Sequence, residues 1–534
     1  MNRSWLALFG LLAALVAIHR VMAEPSEPFF NGDETQHVMT GIFVADAIME
    51  GGLWHPRAYA ERYYAQYPAL GLIVWPPGFY AVEGVTMLAF GRTFDTARGL
   101  MLVYGTLAGF FLFRLVKFTH DFKTALLAVA MFGLTREVFF HTRNVMLEVP
   151  TLAFILAALF YLERYLAEYR RRDLVWLAVS CVFAGLHRYD AVALLPVVLL
   201  RVAFARQWKL LIRKDVLIAA GIVIVVLAPV YGLAAYEIGS AQQSAAATGS
   251  DPATVKASLL SQWTYLPRTL WAQIGQAACA FGVLGLYFSL GDRKAAAYWS
   301  LILGSFLFFA PLAEQETRHG ISWIPAWCTL AAVAVTRLGT TPLRLTLLSL
   351  IAVGGTAYWT LSQPVTWVRG YSTAASLAVQ NVRGTGVILF DGLLSGTFIY
   401  EIRTQDADRR LWVVRGDKVL YSSLSDPAHG YVEWAKDDES LLKLLEDLCP
   451  DLIVVEEPPA KYTTPMAMRL RILLASRSDL YTRVAVIPVK NNNREWLNGV
   501  TLVVYRPLKP KPIGERKINI PMLWQNRQIE ASVK

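Results

Sequence analysis

Two adjacent carboxylates, Asp33 and Glu34 in the stretch NGDETQH, follow closely on the first apolar block of the chain. A carboxylate within hydrogen-bond reach of a hydroxyl can take its proton as that oxygen attacks an electrophile, so such a pair at a membrane edge is either solvated loop or a site. Three further segments carry acids with cations: Arg143 and Glu148 in TRNVMLEVP, His187, Arg188 and Asp190 in LHRYD, and Glu314, Glu316, Arg318 and His319 in AEQETRHG. Each falls where an apolar block ends, and charge at that depth is costly unless paired or hydrated. Singly, these residues read as loop groups or helix caps. Brought to one face, they read as a site that combines a proton acceptor with fixed positive charge.

Composition sets the scene in which they act. The chain has 534 residues, 55% of them hydrophobic and 17% charged; its apolar residues come in long blocks, which marks a polytopic membrane protein. Cys181, Cys279, Cys328 and Cys449 are scattered, giving neither a disulfide framework nor a zinc spacing. The net charge of +10 sits in short clusters between apolar blocks rather than on one soluble face, so it reads as a topology signal and not as nucleic-acid binding.

About 11 apolar segments can be drawn, at roughly 5–22, 97–116, 124–140, 149–166, 174–187, 191–204, 216–235, 269–290, 295–313, 321–336 and 345–362. Basic residues lie between alternate pairs: Lys117 with Lys123, Arg164 with Arg170 to Arg172, Arg206 with Lys209, Arg213 and Lys214, Arg293 with Lys294, and Arg337 with Arg344. All fall on one side, which the excess of Lys and Arg marks as cytoplasmic. Residues 1–23 also read as a cleavable signal peptide ending at Val21-Met22-Ala23. In either case Asp33 emerges on the outside.

The first outer loop, 23–96, holds two stretches of helical potential, Thr35 to Glu50 and Gly78 to Ala89, and aromatics typical of a membrane interface. It is expected to form helices lying on the outer surface. From Val387 onward the pattern alternates short Val- and Ile-rich runs with helical stretches, the signature of an α/β domain. The boundary is placed at 1–364 and 365–534, with the last 25 residues an extended tail.

The chain here resembles a known family. Asp33-Glu34, the stretch YPALGLIVWPPGFY with Pro76-Pro77, TRNVMLEVP with its acid ahead of a proline, and RHGISWIPA before a late span look like membrane glycosyltransferases of the protein O-mannosyltransferase and lipid A aminoarabinose transferase type. The resemblance implies a GT-C-like α-helical membrane fold with a C-terminal extracytoplasmic α/β domain. It also implies inverting transfer of a sugar from a polyprenyl-phosphate donor to a lipid, polysaccharide or protein acceptor, in the cytoplasmic (inner) membrane with the active site outside. Asp33 takes the place of the first-loop catalytic aspartate and Glu148 that of the acid in the second outer loop, with Glu34 beside them. Trp75 stands where the aminoarabinose transferases have Lys, and Arg318-His319 where the family has Arg-Tyr.

A leaving lipid phosphate needs fixed cations at headgroup level, and Arg143, Arg188, Arg318 and His319 are the candidates. Since phosphate leaves as a stable anion, one base with an electropositive cradle suffices and no cofactor is required. A divalent metal on Glu148, Glu34 or His319 is compatible with the residue types, though no ligand spacing demands it. The alternative is a transporter or flippase for a lipid-linked substrate, which would place charges in mid-span and show an inverted repeat; the acids gather instead at the outer ends.

Overall fold

The apolar segments fall on helices in a computed structural model of the chain, which describes residues 3–29, 32–248, 259–312, 315–422, 431–458, 464–492, 497–508, 516–522 and 527–533. In chain order these are α1 (Arg3–Val21), α2 (Asp33–Met49), α3 (Pro56–Gln66), α4 (Gly78–Phe90), α5 (Phe94–Thr119), α6 (Phe122–Leu134), α7 (Arg136–Arg143) and α8 (Glu148–Glu168). There follow α9 (Arg171–His187), α10 (Leu194–Phe204), α11 (Lys214–Thr248), α12 (Leu259–Ile274), α13 (Gln276–Phe288), α14 (Ala296–Phe309), α15 (Ile324–Leu338) and α16 (Pro342–Leu361).

Four of these helices, α1, α5, α8 and α11, are long and apolar enough to cross a membrane, and the pair α6–α7, bent by 61°, makes a fifth. The count of about 11 spans read from the sequence thus resolves into fewer full-length helices and several short ones. Local chemistry cuts them. Asp121 caps α6 by accepting from the backbone N–H groups of Lys123 (2.8 Å) and Thr124 (3.0 Å). Gly275, at φ +85°, breaks the block 269–290 into α12 and α13, because that left-handed backbone is open to glycine. Small residues then let the helices close up: a Cβ on Gly285 would lie 1.9 Å from the Leu330 carbonyl oxygen, and one on Gly304 2.7 Å from the Val197 nitrogen.

The first loop does not merely lie on the surface. Val38, Met39, Ile42 and Ala45 of α2 are fully buried, and the helix packs on α4, whose Gly84 would carry a Cβ 2.6 Å from Val44. An additional helix, α3, falls where the sequence reading placed only interfacial aromatics.

After α16 comes the α/β domain. Its five-stranded sheet pairs Gly386–Asp391 in parallel with both Leu411–Arg415 and Leu452–Glu457; Thr501–Pro507 then adds antiparallel to the latter, and Tyr481–Pro488 antiparallel to that. The parallel strands read as unbroken apolar runs because both faces are covered. The sheet is flanked by α17 (Tyr371–Asn381), α18 (Ser395–Gln405) and the helices Asp438–Leu448 and Pro465–Ser476. At the ends of its strands, Asp391 pairs with Arg471 at 2.6 Å and accepts from the Tyr421 hydroxyl at 2.9 Å, so this turn is structural. The expected extended tail is instead an antiparallel hairpin, Arg516–Met522 with Arg527–Val533. Alternate Ile518 and Ile520 bury one of its faces; Lys509 to Pro512 lie outside the described residues.

Candidate active site

Asp33 is placed by what surrounds it. Gly32, at φ +71°, turns the chain into α2, so that Asp33 and Glu34 occupy the first helical turn, where acids suit the N-terminal dipole. Upstream, the Glu27 carboxylate accepts the backbone N–H groups of Gly370, Tyr371 and Ser372, each at 3.0 Å. The Thr397 hydroxyl donates to the Pro28 carbonyl at 2.7 Å. Glu34 is 1% exposed: its two oxygens accept from Phe29 N and Val145 N, both at 2.9 Å. Expected as a second catalytic acid, Glu34 is a tie that fixes the Asp33 turn to the segment between α7 and α8, because two backbone donors already hold its carboxylate.

Asp33 itself meets the predicted cations. Arg318 NH1 lies 3.0 Å from Asp33 Oδ2 and 3.8 Å from Glu148 Oε1, while its other nitrogens pair with Glu316 at 2.6 and 3.1 Å. Arg188 grips Asp190 through two nitrogens, at 2.9 and 2.7 Å, and hydrogen-bonds Glu148 Oε1. The guanidinium of Arg188 also lies 5.5 Å from the Trp75 ring, in cation–π range. Burial alone would lower the pKa of both arginines; for Arg188, Asp190 and Glu148 override it and raise the value, and for Arg318, Glu148, Glu316 and Asp33 do so. Asp33, Glu148, Arg188, Asp190, Glu316 and Arg318 therefore form one network, assembled from four distant segments.

Below it, Glu148, Thr151, Leu152 and Ile155 follow one face of α8 and, with Phe309 and Ile321, line a cleft that turns from charged to apolar. Glu148 lines this cleft but is only 3% exposed. Its oxygens face Arg188 and the ring of His141, whose Nδ1 is 3.7 Å away.

Two candidates depart from the sequence reading. His319 lines the cleft, yet burial and then the charges of Arg188 and Arg318 push its pKa down to about 3. It stacks on Phe309 at 5.4 Å, and the downward shift works against the charged form that a phosphate cation needs. Arg143 is not in the network at all. It stands two positions from His141 on α7, which places the two side chains on nearly opposite faces of the helix, and its guanidinium sits over Phe139 at 5.0 Å.

Other members escaped the sequence reading. His141 and Glu137, 3.2 Å apart, show only an i, i+4 spacing on α7 that a capped surface helix would share. His37, whose Nδ1 is 2.8 Å from the Tyr80 hydroxyl, is pushed down to about 4 chiefly by burial; no sequence signal set it apart. Among the described residues no three His, Cys, Asp or Glu side chains converge to hold a metal ion; Glu314 lies outside those residues.

Residues 75–232 match a family described as dolichyl-phosphate-mannose-protein mannosyltransferase. Among curated proteins, none matches by sequence. Among solved structures the chain is similar to ArnT from Cupriavidus metallidurans bound to undecaprenyl phosphate, with 13% identity and a TM-score of 0.62, over 96% of this chain and 100% of that one. It is also similar to the oligosaccharyltransferase AglB from Archaeoglobus fulgidus in complex with an inhibitory peptide and a dolichol-phosphate (10% identity, TM-score 0.55, 84% of this chain and 69% of that one). Mycobacterial arabinofuranosyltransferase AftD gives 14% identity and a TM-score of 0.53, over 96% of this chain but 40% of that one. The shared architecture is the GT-C fold.

Proposed function

We propose that this chain, a membrane glycosyltransferase of the GT-C type by its fold and family match, moves a sugar with inversion from a polyprenyl-phosphate donor to an acceptor hydroxyl. The observation that carries the reading is the contact between Asp33 and Arg318 at the charged mouth of an apolar cleft. The cleft suits a lipid phosphate, its headgroup against Arg188 and Arg318 and its prenyl chain along Thr151, Leu152 and Ile155. The similar ArnT and AglB structures hold undecaprenyl phosphate and dolichol-phosphate, which supports this choice.

The steps follow from the geometry. A donor phosphate arriving at Arg318 replaces Asp33 as its partner and leaves the carboxylate as a proton acceptor. The acceptor oxygen attacks the anomeric carbon from the side opposite the phosphate; the bond from that carbon to the phosphate oxygen breaks, and its electron pair leaves with the phosphate. The hydroxyl proton passes to Asp33, and the negative charge growing on the phosphate is met by Arg188 and Arg318. Glu148 acts as a positioning residue that holds Arg188 and His141. Trp75, in the position of the family's Lys, carries the Arg188 cation above its ring, so positive charge reaches the same place from another helix. No cofactor takes part in these steps.

The length and direction of α8 support an outward-facing site. Glu148 begins it and Arg170 to Arg172 follow its end; 21 residues at ~1.5 Å each span roughly 30 Å. Since the basic clusters mark the cytoplasmic side, the site opens on the outer face of the cytoplasmic membrane. The acceptor is a lipid, polysaccharide or protein hydroxyl presented there.

The test is Asp33→Asn, which keeps the shape but cannot take the proton. Cells carrying it, like cells without the protein, are expected to accumulate a lipid-linked sugar detectable by mass spectrometry of lipid extracts, while the purified variant still binds undecaprenyl phosphate. Normal lipid profiles in both strains would sink the reading.

A further inference from the structure

Ser322 closes the short turn Thr317–Ser322 that also carries Arg318 and His319. It is 6% exposed and lines the cleft, yet among the described residues its hydroxyl has no hydrogen-bond partner. A serine just ahead of a helix ordinarily caps it. Helix α15 has no side-chain cap, however, and Pro325 in its first turn removes one of the N–H groups that a cap would serve. Nor is the turn loose. A Cβ on Gly320 would lie 2.4 Å from the Gln273 side-chain oxygen; that oxygen accepts from Trp323 Nε1 at 3.0 Å, and Trp323 N donates to the Gly320 carbonyl at 3.1 Å. A buried hydroxyl without a partner costs stability. A ligand in the cleft can offset that cost, because a serine hydroxyl reaches three staggered positions by turning about one bond.

Its place along the cleft says which ligand atom that is. In a 3₁₀ turn residues three apart stack on one side, roughly 6 Å from each other, so Ser322 follows His319 one turn further along the chain. From there the chain enters α15, which ends at Arg337 among the basic residues of the cytoplasmic side. Ser322 therefore stands on the hydrocarbon side of Arg318, between the arginines at the mouth and the apolar wall of Leu152, Ile155 and Ile321. A prenyl chain offers no acceptor to a hydroxyl at that depth. The nearest atom of a prenyl phosphate that does is an oxygen of the phosphate itself, and hydrogen bonds to an ionised acceptor are the strong ones.

We propose that Ser322 is a third ligand of the donor phosphate, its hydroxyl donating to a phosphate oxygen from the prenyl side while Arg188 and Arg318 hold the phosphate from the side of Asp33. The proposal rests on the donor reading above. It adds to that reading a neutral donor, which binds the anion without bringing a further cation into the Asp33, Glu148, Arg188 and Arg318 network.

Native mass spectrometry of the full chain in detergent, titrated with undecaprenyl phosphate or with undecaprenol, tests it. The unaltered chain is expected to prefer the phosphate. Ser322→Ala should shrink that preference by about 10- to 100-fold, the range for a hydrogen bond to a charged group, with undecaprenol binding unchanged. Without lipid, the melting temperature of Ser322→Ala is expected to stay the same or rise, because no hydrogen bond within the protein is lost. An undiminished preference overturns the proposal. An equal loss for both lipids does so too, since it would report a change of cleft shape, as does a lowered melting temperature without lipid, which would reveal a partner inside the protein. Arg318→Ala separates this contact from the donor reading: where Arg318→Ala loses the preference and Ser322→Ala keeps it, the serine contact alone falls, whereas an undiminished preference in Arg318→Ala removes the donor reading and this contact with it. Should Ser322→Ala not fold, Ser322→Cys, whose thiol is a weak donor, is expected to show the same loss, and an unchanged preference there is decisive against the proposal.

Discussion

Two groups of buried arginine flank the Asp33 turn, and they are built on opposite plans. Arg188 and Arg318 are saturated with carboxylates: Glu148 and Asp190 for the first, Asp33, Glu148 and Glu316 for the second. Among the described residues Arg143 has none within hydrogen-bond reach, with Glu24 the acid that acts on it from farther off. A saturated cation can accept a phosphate by exchange, one anion displacing another with little net desolvation, and the displaced group becomes available for chemistry. A bare cation has no carboxylate to release. The first plan suits a ligand that must come and go with each turnover.

The contrast breaks or holds on stability first. Arg188→Met strands Glu148 without its main partner, and about 3–5 kcal/mol of folding stability is expected to be lost, the cost of breaking one half of a buried pair. Arg143→Met, measured by the same denaturation in detergent without added phospholipid, should be neutral or stabilising. Equal losses in the two variants would erase the distinction.

Function sharpens it next. Glu148→Gln and Arg318→Ala should lower sugar transfer by roughly 10- to 1000-fold, the range for one electrostatic contact to a transition state. Full activity of either variant at normal expression would take the donor phosphate away from this cluster. Smaller still is Glu34→Gln. One of its two backbone contacts is lost and an amide meets an N–H donor, so about 1–3 kcal/mol of stability should go, visible as faster hydrogen exchange at Val145. Transfer abolished in Glu34→Gln but retained in Asp33→Asn would move the base by one residue.

The mildest effect is one of pH. His319 is held at about 3 in the folded protein against 6.5 for the ordinary group, so between these values the unfolded chain binds more protons than the folded one. Stability from this residue is complete above pH 6.5 and declines as pH falls toward 3. His319→Gln should flatten that part of a melting-temperature profile; an unchanged slope would mean that folding does not lower the His319 pKa, and a slope of opposite sign that it is held charged with the cations.

Much of this could be read before any coordinates. Asp33, Glu148, Arg188 and Arg318 converge, as the common placement of their segments at one set of apolar-block ends leads one to expect, and the five strands of the C-terminal sheet stand where short β-branched runs occur. Facing is what the sequence hides. Arg143 turns against His141 by their spacing on α7, but which of the two meets Glu148 depends on how α7 sits after its 61° bend from α6. The part played by Glu34 depends on a contact with Val145, 111 residues away. The burial of α2 likewise follows from its packing on α4 and from the docking of α18 of the C-terminal domain, which a helix-period reading of the loop cannot see.

That docking has a mechanical side. Helix α18 runs along α2 and grips it twice: Gly396 would carry a Cβ 2.2 Å from the Thr35 hydroxyl in the first turn, and Arg403 binds Asp46 at 2.5 Å near the far end. Asp33 therefore rides on a helix splinted to the C-terminal domain along its length and fastened to the start of α8 at its first turn by the Glu34–Val145 contact. A helix of 11 residues is ~16 Å long, so a tilt of about 4° moves its end by ~1 Å. Misplacement on that scale costs on the order of 100-fold in rate. A tilt of the C-terminal domain by a few degrees, resisted by the Glu34–Val145 contact, would thereby be felt at Asp33 without touching sugar or phosphate.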